Sequence, residues 1–125
     1  MGRRLRVGVI LGGQSVEHEV SLISARSIFQ HLSGDRYEVV PIGITRRGRW
    51  VTSTDGAALL REGLESAVVQ TCFLPPDPSV GGLVILGTDG RTVPLDVIFP
   101  IVHGGHGEDG TLQGVLEMAG LPYVG

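Results

Sequence analysis

A single cysteine, Cys72, leaves the chain unable to form an internal disulfide, and it has no CxxC partner. It lies between Thr71 and Phe73 in an apolar stretch and reads as a buried structural thiol, not a nucleophile. No apolar run approaches the ~20 residues that a bilayer span needs, which excludes a transmembrane helix. No charged segment followed by an apolar one precedes the first strand-like run, so no secretory leader is expected and a reducing cytoplasm fits. An excess of positive charge is also missing. The net charge is −3, and Arg3, Arg4 and Arg6 read as a solvated flank, which argues against a nucleic-acid partner. Neither GxGxxG nor GK[ST] occurs, so there is no dinucleotide fingerprint and no P-loop. What is present, 125 residues that are 42% hydrophobic and 18% charged, suits one globular domain.

The hydrophobic pattern alternates strands with helices. Leu5 to Leu11 is a β-branched apolar run bounded by Gly12-Gly13, as expected of a strand buried on both faces. Ser15 can cap the helix that follows, and Leu22, Ala25, Ile28, Phe29 and Leu32 recur at helical spacing until Ser33-Gly34. Tyr37 to Ile44 reads as a second strand, and Arg46-Arg47-Gly48-Arg49 as a turn into a short strand at Trp50 and Val51. Asp55 to Gly63 is a candidate short helix, while Pro75-Pro76-Asp77-Pro78 must be loop. Leu83 to Leu86 and Thr92-Val93 flank Thr88-Asp89-Gly90 and predict a peripheral hairpin. Asp96 to Val102 is a further strand. The last helix carries the stripe Leu112, Val115, Leu116 and Ala119, with Gly120 at C′ and Pro122 beyond. This order implies an α/β fold: a mainly parallel open sheet, doubly wound, with helices on both faces.

Ligands of such sheets bind beyond the carboxyl ends of the strands, and two unusual loops lie there. Gly12 to Glu19 offers Glu17 and Glu19 near a helix start, either as surface groups that complement the helix dipole or as ligand contacts. The loop His103 to Gly110 concentrates His103, His106, Glu108 and Asp109. It could serve a metal-dependent hydrolase, although HxxH through two glycines lacks the i, i+4 geometry of a zincin helix. It could equally be a turn in which Asp109 caps the last helix, or part of a non-enzymatic small-molecule-binding domain.

Gly12-Gly13-Gln14-Ser15-Val16-Glu17-His18-Glu19-Val20-Ser21 resembles the GGxSxEHxVS motif of D-alanine–D-alanine ligases. His103-Gly104-Gly105-His106-Gly107-Glu108-Asp109-Gly110-Thr111-Leu112-Gln113-Gly114 resembles their HGxxGEDGxxQG motif. Ile42 to Thr45, Gly48-Arg49-Trp50 and the closing Gly120 to Gly125 also look like family sequence. The resemblance implies a domain of pre-ATP-grasp type, residues 1–125 being the amino-terminal substrate-binding domain. It implies ATP-dependent joining of two D-alanines through an acyl phosphate, for peptidoglycan, by a cytoplasmic enzyme that is a homodimer at full length. ATP and Mg2+, with Mn2+ as an alternative, are then held outside this segment, which is expected to be inactive alone and to contain no metal ligand. The resemblance gives Glu17 the ammonium of the first D-alanine, Val20 its methyl pocket, His103 the substrate and its developing acyl phosphate, and Glu108 the orientation of His103. It assigns nothing to Glu19 or His106.

Overall fold

The computed structural model describes residues 4–12, 18–32, 34, 36–53, 64, 69–87, 90–102 and 110–124. Its elements are β1 (Leu5–Gly12), α1 (His18–Leu32), β2 (Tyr37–Ile44), β3 (Trp50–Thr52), β4 (Gln70–Phe73), β5 (Gly82–Ile85), β6 (Arg91–Pro94), β7 (Val97–Val102) and α2 (Thr111–Met118). The strands form one sheet in the order β6-β5-β4-β3-β2-β1-β7. β1 pairs in parallel with β2 on one side and with β7 on the other.

Strand alternation explains the two layers that flank this parallel core. Val7, Val9 and Leu11 of β1 face one way and pack with Ile28, Phe29 and Leu32 of α1 and with Phe99 and Ile101 of β7. Ile10 faces the other way and packs with Ile42, Ile98 and the α2 stripe Leu112, Leu116 and Ala119. The helices thus cover both faces, as the pattern implied. Gly8 shares the face of Ile10, and a Cβ there would lie 2.9 Å from Ile98 Cδ1, 3.1 Å from Leu95 Cδ1 and 3.2 Å from Ile42 Cδ1. A bare backbone at this point lets three large side chains meet over the strand.

The close of α2 follows its sequence. Gly120 has φ +69, its N–H donates to Glu117 O (3.1 Å), and Leu121 N–H donates to Leu116 O (3.1 Å). This is the Schellman arrangement, which satisfies the last carbonyls. The start of α2 differs from the Asp109 cap considered above. The N-cap residue is Gly110, φ +95, with no side-chain cap hydrogen bond.

The parallel part of the sheet is confined to β2-β1-β7, and β3 to β6 extend it antiparallel. The expected hairpin is present as β5–β6, with Ile85 opposite Arg91. It is the outer half of a larger arm that begins with β3 and β4. β4 was not anticipated, because QTCF is short and mixed, and only pairing to Val51 and Ile85 makes it a strand. Cys72 on β4 is 2% exposed, and burial pushes its thiol up to about 12. The proposed Ser15 cap and the whole of the Asp55–Gly63 helix lie outside the described residues.

Candidate functional site

Three parallel strands end level. Gly12 of β1 is opposite Ile44 of β2 and opposite Val102 of β7. The loops that leave β1 and β7 therefore start about one strand spacing, ~4.8 Å, apart on the same rim. Both motif-bearing loops leave from this edge. α2 then carries the chain back so that Tyr123 bridges in parallel to Ile98, with Ile98 N–H donating to Pro122 O (2.8 Å) and Val124 N–H to Ile98 O (3.0 Å). The amino terminus of α2 consequently sits at the rim end of β7, and its N-cap residue, Gly110, has no side chain to cap it. Uncapped N–H groups at the positive end of a helix favour anionic groups.

The third strand of the core contributes the β2–β3 turn at the same end. Thr45, 4% exposed, anchors it. Its N–H donates to Arg49 O (2.8 Å), its carbonyl accepts from Gly48 N–H (2.9 Å), and its Oγ1 accepts from Arg49 N–H (3.0 Å). Gly48 takes φ +87, which a side chain would resist. The Arg49 guanidinium is held by a neutral group, donating to Thr71 Oγ1 from Nη2 (2.6 Å) and Nε (3.2 Å). The described carboxylates Glu38 and Asp96 lie at the other end of the sheet, beside Arg4 and Arg6.

Glu17, His103 and Glu108 lie outside the described residues, as do His106 and Asp109. Val20 is on the first turn of α1. The register thus brings together the strand ends from which these residues follow. Among the described residues no group of three His, Cys, Asp or Glu could hold a metal ion, and no helix is long and apolar enough to cross a membrane. Two features at α2 were missed by sequence reasoning. Gly110 carries the positive φ that ends the loop, and Gln113 has a buried Oε1 without a hydrogen-bond partner among the described residues. Both fall inside the second motif, which was their signal.

Comparison with known proteins agrees with this layout. Curated D-alanine–D-alanine ligases from Caldicellulosiruptor bescii and Nocardia farcinica are 44% and 49% identical to this chain, over 98% and 100% of its length. The chain spans about a third of each relative, 34% and 36%. The crystal structure of the VanG D-Ala:D-Ser ligase from Enterococcus faecalis superposes with a TM-score of 0.85 at 37% identity, covering 97% of this chain and 35% of that one. A D-alanine–D-alanine ligase from Bacillus anthracis, solved in complex with ATP, aligns more loosely, with a TM-score of 0.52 at 27% identity, over 95% of this chain and 28% of that one. The model of the D-ala D-ala ligase N-terminus matches residues 6–125, which takes in both loops and every strand whose register levels them at the rim, and the chain belongs to that family.

Proposed function

We propose that this chain is the amino-terminal, substrate-binding domain of an enzyme that joins two D-alanines at the expense of ATP, through an acyl phosphate, in cytoplasmic synthesis of peptidoglycan. The observation that carries the reading is the register: β1 and β7 are parallel neighbours ending level at Gly12 and Val102, so both family motifs start from one rim. ATP and its Mg2+ or Mn2+ belong to the remaining two-thirds of such a protein. The full-length enzyme is taken as a homodimer.

In this reading Glu17 accepts hydrogen bonds from the ammonium of the first D-alanine, leaving its carboxylate directed away from Glu17, and Val20 lies against the methyl group. A carboxylate suits this task because a charge-assisted bond is about twice as strong as a neutral one. His103 contributes positive charge and a donor where the acyl phosphate develops, and Glu108 orients and charges the ring. The start of α2 adds partial positive charge at the same rim.

The test is turnover by the full-length protein, read as D-alanyl-D-alanine and phosphate formed from D-alanine and ATP. Glu17→Gln keeps the shape and removes a contact of roughly 1.5–3 kcal/mol, so KM for the first D-alanine should rise about tenfold or more while KM for ATP stays. Equal KM values for D-alanine in the two proteins would return Glu17 to a surface role.

A further inference from the structure

A second concave feature lies at the opposite end of the sheet. On a flat sheet β6 would sit four strand spacings from β2, about 19 Å, yet residues of both line a single groove of about 180 Å³. The antiparallel arm therefore curls over the α2 face. The groove has an apolar floor of Val40, Ile85 and Val93 and polar walls of Glu38, Gln70 and Arg91. Thr52, 2% exposed, also borders it and donates its hydroxyl to Pro41 O (2.6 Å), which leaves only acceptor capacity for a ligand.

The charges on its walls are opposite and come from opposite arms of the curl. Among the described residues, Glu38 on β2 makes only loose, exposed contacts, 3.5 Å to Arg6 Nε and 3.8 Å to Arg4 Nη2. Among the described residues, neither the Arg91 guanidinium on β6 nor the Gln70 side-chain amide on β4 has a hydrogen bond or ion pair. The two charged walls thus face one groove without closing on each other. Concave sites with apolar floors and a few convergent polar groups are the usual form of small-molecule sites. From Glu38 to Ile44 is six residues, about 20 Å of strand, so this groove is separate from the rim.

We propose that this groove binds a small zwitterion of amino-acid to dipeptide size. Its carboxylate is held by Arg91 and Gln70, its apolar body lies on Val40, Ile85 and Val93, and its ammonium is placed at Glu38. A simple anion would gain Arg91 and meet repulsion from Glu38, whereas a zwitterion satisfies both walls.

The experiment titrates the isotope-labelled chain with D-alanyl-D-alanine, L-alanyl-L-alanine and acetate, following amide resonances by NMR. The D-dipeptide is chosen as a probe on the ligase reading, and the L-dipeptide does not depend on it. Wild-type turnover tests that reading separately. Saturable shifts of the Gln70 side-chain amide and of Val40, Ile85 and Val93 with either dipeptide are expected. Affinity read from the groove resonances should fall at least about tenfold in Arg91→Ala and in Glu38→Gln. Gln70→Ala, at an exposed position, supplies a second variant if either charge change disturbs the fold. The proposal is overturned if no groove resonance moves, if acetate binds as tightly as the dipeptides, or if the folded Arg91 and Gln70 variants bind like wild type.

Discussion

Gly114 belongs to the second motif, yet the fold of this chain makes no demand for glycine there. It lies within α2, is only partly buried, and has an ordinary helical backbone; a Cβ built on it meets no heavy atom of the described residues within 4 Å. Alanine in a helix interior is favoured over glycine by roughly 0.8–1.0 kcal/mol, and part of that arises from the more restricted unfolded chain. Gly114→Ala should therefore stabilise the chain by about 0.5–1 kcal/mol. With a urea m-value of roughly 1–3 kcal/mol/M, the midpoint should rise by about 0.2–1 M. Trp50, the sole tryptophan and packed against the core, reports the transition by fluorescence. A lower midpoint in Gly114→Ala would refute the reasoning, since it would mean that the space beside α2 is already filled. If full-length Gly114→Ala is both more stable and less active, the methyl group obstructs what binds at the rim.

Other substitutions should move in the opposite direction or act through charge. At Gly82 an added Cβ would lie 2.2 Å from the Val93 carbonyl oxygen, a backbone atom that cannot swing aside; Gly82→Ala should cost about 1–3 kcal/mol or more by overpacking, read as a lower urea midpoint. Burial raises the Cys72 thiol from 9.0 to about 12, so the folded state keeps its proton longer than the unfolded one. Its effect on stability is nil below about pH 9 and turns unfavourable as pH rises from 9 towards 12, by at most ~1.4 kcal/mol per unit. Between pH 8 and 10.5, Cys72→Ala should lose less of its own stability than wild type. In the full-length enzyme, His103→Gln should lower kcat more than it raises KM, and the His103→Gln/Glu108→Gln double variant should cost less than the sum of the singles. Additive effects would separate the two side chains.

Much of the candidate site was legible because it is written in contiguous residues. The two motifs needed no structure to be found, and neither did the Gly120-Pro122 ending of α2, since a positive φ followed by a helix-incompatible proline is a local requirement. β1 announced itself by the apolar run Val7 to Leu11, which only a strand covered on both faces can bury. Gly110 was harder: its motif was visible, but that it and not Asp109 holds the N-cap position depends on where the loop meets the helix.

What local pattern determined, then, was the kind and order of the strong elements, their buried faces and the loops that carry charge, because periodicity and turn chemistry act over a few residues. What tertiary structure alone decided was everything that depends on pairing across the chain. β4 is a strand only because Val51 and Ile85 flank it. The direction of β3 to β6 against the parallel core, and the curl that brings Arg91 to Glu38, follow from strand order. So does the rim itself: Gly12, Ile44 and Val102 stand ~30 to 90 residues apart in sequence, and only the shared register of three parallel strands, fixed by which face each must bury, sets them level.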